Sequence, residues 1–123
     1  MISAAAQRTA EQLINELFDV IDNRRWDQLS RVFAEDGVYE RPGYEPLVGL
    51  AAIQHFYRYE RVVDQGRHDV EHVVSDLGTA ACWGRFTGMD RSGRPLDEAF
   101  ADAYAVTEGK IKHRVTYFYR PAI

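Results

Sequence analysis

The sequence holds one cysteine, Cys82, among 123 residues. A single thiol excludes an intrachain disulfide framework and any zinc site built on several cysteines. Basic runs are missing too: no Lys/Arg run exceeds the pair Arg24-Arg25, and the net charge is −4. An acidic chain without a basic patch does not recruit phosphate backbones, so no nucleic-acid partner is expected. No apolar run approaches the ~18 residues a membrane helix needs. The start, Met1-Ile2-Ser3-Ala4-Ala5-Ala6-Gln7-Arg8, lacks the charged front and apolar core of a secretion signal. A cytoplasmic protein with no membrane partner is the expectation. Phosphate-binding glycine loops and nucleophile elbows are absent as well, since Gly88-Met89-Asp90-Arg91-Ser92-Gly93 reads as a polar hairpin turn.

What is present fits one globular domain over residues 1–123. Hydrophobic residues at 46% and charged residues at 28% are an ordinary balance that argues against disorder. Seven Tyr, six Phe and two Trp point to a well-formed core or an aromatic-lined cavity.

The first half reads helical. Thr9 is placed to cap a helix in which Leu13, Ile14, Leu17, Phe18 and Ile21 recur at helical spacing, broken at Asp22-Asn23. A second short helix carries Trp26, Leu29, Val32 and Phe33 on one side and ends at Gly37. Val38-Tyr39-Glu40-Arg41 reads as a short strand stopped by Pro42-Gly43, with a loop over 42–48. Gly49 opens a third helix over roughly 50–62. The period then changes to two, with strands predicted at 67–75, 79–89, 96–107 and 110–120 and tight turns between them. Helices gathered at one end of an antiparallel sheet make an α+β fold. A twisted sheet of this kind curls into a cone, and the three helices of the N-terminal half enclose a pocket at its open end.

Four local patterns in this order resemble a known superfamily. They are Ile21-Asp22-Asn23-Arg24-Arg25-Trp26-Asp27-Gln28-Leu29, Phe33-Ala34-Glu35-Asp36-Gly37-Val38-Tyr39, Val48-Gly49-Leu50-Ala51-Ala52-Ile53 and Asp102-Ala103-Tyr104-Ala105-Val106-Thr107-Glu108-Gly109-Lys110-Ile111. Together they resemble the helix corner, first strand, third helix and final hairpin of the nuclear transport factor 2-like fold, in its SnoaL-like and ketosteroid-isomerase-like members. That fold hosts isomerases, cyclases, dehydratases, epoxide hydrolases and domains with no chemistry, so the resemblance implies an architecture before a reaction.

Asp102 is the first candidate acid. Alternation puts Glu98, Phe100, Asp102 and Tyr104 on one strand face, and an acid between two aromatics is costly to bury charged. Burial favours the neutral form that a general acid requires. The same pattern is met by a solvent-facing strand, or by Asp102 paired with a neighbouring Arg. The resemblance places Asp102 where ketosteroid isomerases carry a neutral oxyanion-hole aspartate, near the catalytic acid of SnoaL-like cyclases. It also shows departures. Arg41 occupies the isomerase base position and Leu17 the helix-one tyrosine position, while Thr116 occupies the acid position of limonene epoxide hydrolases. Those mechanisms are not expected intact.

His68 and His72 are expected on one face of the 67–75 strand, with Val70 and Val74. Four strand residues span ~13 Å, too far for two histidines to grip one metal directly, and no metal is expected. Gly66-Arg67-His68 resembles the strand start of scytalone dehydratase, and Ile21-Asp22 its corner. This implies an Asp22–His68–His72 relay delivering a proton into the pocket, a role suited to an imidazole titrating near neutrality. Arg41, which never loses its proton, is the candidate for the polar end of a substrate. Tyr39, Phe86, Phe100, Tyr104 and Phe118 are candidate pocket aromatics. Cys82 lacks an activating base and is expected to be inert.

The expected function is cofactor-independent acid–base chemistry next to a carbonyl, on a polyketide-like or other small hydrophobic metabolite. The alternative is a ligand-binding or association domain with no turnover. Arg114-Val115-Thr116-Tyr117-Phe118-Tyr119 is apolar and aromatic on both faces, which predicts a symmetric homodimer through the outer sheet face.

Overall fold

The computed structural model describes residues 8–120. The stretch Met1–Gln7, most of the start read above for a secretion signal, lies outside the described residues. Helix α1 (Ala10–Asp22) begins at a reciprocal cap: Gln12 N donates to Thr9 Oγ1 at 3.1 Å, and Thr9 N donates to Gln12 Oε1 at 2.9 Å. Its buried face is Leu13, Ile14, Leu17, Phe18, Val20 and Ile21. The helix stops at Asn23, and Arg24 adopts a positive φ of 58° that turns the chain.

The expected second helix is a short 3-10 helix of two turns over Trp26–Arg31. Strand β1 (Phe33–Glu40) starts much earlier than the sequence predicts, so Gly37 lies inside a strand and does not end a helix. The reason is a close approach. A Cβ at Gly37 would sit 3.0 Å from the Ala34 carbonyl and 3.1 Å from that of Ile111, at an irregularity in the β1 pairing. Strand β2 (Leu47–Val48) pairs briefly with β1. Helix α2 (Leu50–His55) then widens into a π turn over Phe56–Glu60, which buries Phe56 and Tyr57.

Four long strands follow: β3 (Val63–Asp76), β4 (Thr79–Asp90), β5 (Pro95–Thr107) and β6 (Lys110–Phe118). They form an antiparallel meander, and β1 joins β6 in parallel to give the sheet order β2-β1-β6-β5-β4-β3. The sheet is curved and unclosed, with the helices of the N-terminal half against its inner face, as the α+β reading expects. The Glu108-Gly109 turn takes positive φ at both residues, as a two-residue hairpin demands. Glycine also lets β3 admit an aromatic ring. A Cβ at Gly66 would meet Phe86 Cζ at 2.2 Å, so only glycine leaves room for that ring on the inner face.

The inner face holds the core: Tyr39, Cys82, Phe86, Phe100 and Tyr104 from the sheet, packed with the α1 stripe. The outer face carries exposed Trp83, Val74, Met89 and Tyr117. No helix among the described residues is long and apolar enough to cross a membrane.

Candidate functional site

Where α1 and the π turn meet the inner face they leave a narrow cleft. Phe86, Phe100 and Phe118 supply apolar walls, and Tyr39 and Tyr57 add phenols. Besides these phenols, its charged or titratable lining residues are Arg41, Arg61, Arg114 and His68. No Asp or Glu is among them.

The floor is built by strand register. Asp102 pairs across β5–β6 with Thr116, and Tyr104 pairs with Arg114. The Asp102 Oδ2 accepts from Arg114 Nε at 3.0 Å and from the Tyr104 hydroxyl at 2.7 Å, and lies 2.8 Å from Arg114 Nη2 in an ion pair. Oδ1 accepts from the Thr116 hydroxyl at 2.6 Å. Arg114 Nη1 donates to the Tyr57 hydroxyl at 2.9 Å, and its guanidinium lies 4.4 Å from the centre of the Tyr39 ring. With the Thr116 proton given to Asp102, Tyr39 donates its own to Thr116 Oγ1 at 2.9 Å. Burial opposes the Arg114 charge, but Asp102 outweighs it and holds the guanidinium well above its ordinary value. Burial also works to raise the Tyr39 phenol, yet Arg114 and Arg41 beside it leave it below its usual value.

The wall opposite is an Asp–His pair. Asp22 at the end of α1 accepts from the His68 backbone N at 2.8 Å and faces His68 Nδ1 at 2.6 Å. Those two contacts pin the imidazole, and Phe18 stacks on it with ring centres 4.2 Å apart. An Nδ1–H given to the carboxylate leaves Nε2 as the ring nitrogen open to the cleft, with its lone pair available. Burial lowers the His68 pKa below 6.5, against the pull of Asp22.

The structure brings together His68, Asp22, Arg41, Tyr39, Phe86, Phe100 and Phe118. The alternation expected at 98–104 is observed, with Glu98, Phe100, Asp102 and Tyr104 all buried. Asp102 and Tyr104 nonetheless do not line the cleft, because Arg114 and Thr116 cover them. Asp102 is paired with a neighbouring Arg and accepts three hydrogen bonds. His72 needs a correction. A bulge between Val70 and His72 reverses the inward parity of β3, so His72 points outward beside Trp83 with ring centres 5.1 Å apart. Val74 is exposed for the same reason.

Arg114, Arg61, Tyr57 and Thr116 line the cleft without having been predicted there. Two-residue alternation back from Phe118 leads to Thr116 and Arg114, so that signal was present in the sequence. Arg61 follows a π turn whose geometry no helical period reveals. Cys82 is buried beside Tyr104, and burial with the nearby Asp102 charge pushes its thiol up to about 11. A thiol raised so far holds little thiolate at neutral pH.

Residues 14–114 match the SnoaL-like domain family. No curated protein matches the chain at a significant level. Among solved structures, a nuclear transport factor 2-like protein of unknown function from Burkholderia pseudomallei superposes with a TM-score of 0.80 at 14% identity, over 88% of each chain. A candidate SnoaL-like polyketide cyclase from Jannaschia sp. gives 0.77 at 13%, over 92% of this chain and 90% of the other. An LEH-like epoxide hydrolase from M. tuberculosis gives 0.75 at 14%, over 86% of this chain and 79% of the other. At such identities the likeness carries the fold and no reaction.

Proposed function

Because this chain belongs to the SnoaL-like domain family, we propose that it is a cofactor-independent enzyme moving a proton next to a carbonyl of a small hydrophobic metabolite. The observation that carries this reading is the His68 imidazole, fixed at Nδ1 by Asp22 and open to an aromatic cleft at Nε2.

His68 Nε2 takes the proton from the carbon beside the carbonyl. Asp22 holds the ring in the required tautomer and offsets the charge of the imidazolium that forms. The electron pair left behind moves onto the carbonyl oxygen, where a fixed cation is needed. Arg114 supplies it. Its Nε and Nη1 donate to Asp102 and Tyr57, and those bonds with the Asp102 ion pair set its orientation before a substrate arrives. Such preorganisation is often the largest catalytic contribution. Asp102 is thereby a positioning residue for Arg114. The imidazolium then returns its proton to another carbon (isomerisation), or protonates a departing hydroxyl (water elimination). Ring closure follows instead when the enolate attacks a second carbonyl.

Deuterium uptake from solvent at the carbon beside the carbonyl tests this on a panel of small ketones, β-keto esters and 2-oxo acids. The expected result is catalysed uptake of at least one panel member, reduced by about 10²–10⁴-fold in His68→Asn. Uptake equal in His68→Asn and the unsubstituted protein overturns the assignment. Binding of the same compounds with no uptake by either protein favours the alternative, a ligand-binding domain without turnover.

A further inference from the structure

Resting on that reading of the cleft, we infer that its substrate is an anion, a small carboxylate with an apolar body, and that Arg61 is the residue that takes the carboxylate. The cleft holds a cation without an acid. Arg61 is 5% exposed and lines the cleft. Its guanidinium lies 4.9 Å from the centre of the Trp26 ring and 5.5 Å from that of Tyr57. Among the described residues that guanidinium donates no hydrogen bond and meets no carboxylate at ion-pair distance.

A desolvated guanidinium is costly unless its donors are met. Aromatic faces offset part of that cost through cation–π attraction but accept no N–H bond in the plane of the fork. Nearby acids cannot serve. Asp22 is engaged by His68, and Asp102 lies under Arg114 and Thr116. Both carboxylates beside the cleft are thus spent on other partners, and neither meets Arg61 at ion-pair distance. Burial pushes the Arg61 guanidinium down from its ordinary value, and Arg24 and Arg41 add to that against Tyr57 and Asp22. A bound carboxylate removes this penalty. A planar carboxylate also matches the guanidinium fork, while Phe86, Phe100 and Phe118 suit an apolar body behind it.

The test uses benzoate and its neutral analogue benzamide, titrated into the full chain and read by NMR at the Arg61 Nε–H and the His68 ring. The inference predicts saturable shifts with benzoate and binding of benzamide weaker by about tenfold or more. Arg61→Met weakens benzoate by a similar factor and leaves benzamide unchanged, while Arg61→Lys, which keeps the charge but loses the fork, falls between Arg61→Met and the unsubstituted protein. Equal binding of benzoate and benzamide by the unsubstituted protein overturns the inference without any variant, and so does undiminished benzoate binding by a folded Arg61→Met. The two readings fail separately. His68→Asn retains benzoate binding if the anion site is real, whatever happens to proton transfer. Conversely, His68-dependent deuterium uptake alongside equal benzoate and benzamide binding removes the anion site alone.

Discussion

On the inner face Arg114 and Asp102 meet at 2.8 Å with side chains 2% and 0% exposed. On the outer face Arg85 and Asp97 meet at 2.6 Å with side chains 50% and 61% exposed. The chemistry and the distance are nearly the same, and both pairs are carried by the meander of β4, β5 and β6. The surroundings differ. Water already solvates the outer pair, so holding the two side chains together gains little. The inner pair has lost its water and depends on its hydrogen bonds from Tyr104 and Thr116 and its bond to Tyr57. Such a pair is a poor source of stability but fixes a guanidinium in one place, which is what a site for a developing negative charge requires.

The largest expected effect breaks the inner pair. Arg114→Met, or Asp102→Ala, costs about 3–5 kcal/mol, because each leaves an uncompensated buried charge. Urea unfolding reads this as a large fall in midpoint. Replacing both, with Asp102→Leu and Arg114→Met together, recovers part of the loss while abolishing proton transfer. Arg85→Ala on the outer face shifts stability by only about 0–1 kcal/mol. Equal costs on the two faces would show that burial is not what distinguishes the pairs.

The smallest effect concerns the exposed aromatics of the outer face. We propose that a second copy of the chain covers Trp83 and Tyr117, giving the symmetric homodimer expected from the sequence. Trp83→Ser then leaves the folded subunit within about 0.5 kcal/mol but weakens association. Light scattering at micromolar concentration reads the difference, and a monomer before any substitution contradicts the dimer.

The order of elements and the inward face of β5 were legible because buried strands alternate with period two, and Glu98 to Tyr104 do so without interruption. His72 was misplaced because one bulged residue in β3 reverses parity, and a bulge leaves no mark in a hydrophobic pattern. Asp102 was read on the correct face, but what covers it comes from β6, and pairing register lies beyond what either strand reveals alone. The same gap hid Arg114 and Thr116 as lining residues. His68 and Asp22 were legible as a pair only through the family resemblance. They are 46 residues apart, and their meeting depends on how the end of α1 is laid against β3.

The central claim is that His68 sits in the cleft as a neutral base with its Nδ1 proton held by Asp22. Nitrogen-15 NMR of the imidazole across pH 4 to 9 tests it most directly, because it reports the tautomer and the titration together. The account predicts the Nδ1–H tautomer at neutral pH and a midpoint below 6.5, lowered by burial against the pull of Asp22. A lowered pKa means that the unfolded chain takes the proton first. Stability is therefore unaffected above pH 6.5 and falls as pH drops from 6.5 to the lowered midpoint. An Nε2–H tautomer, or a midpoint at or above 6.5, would contradict the account: the open nitrogen would carry the proton, or the imidazole would be the charged, solvated group that an exposed surface histidine is.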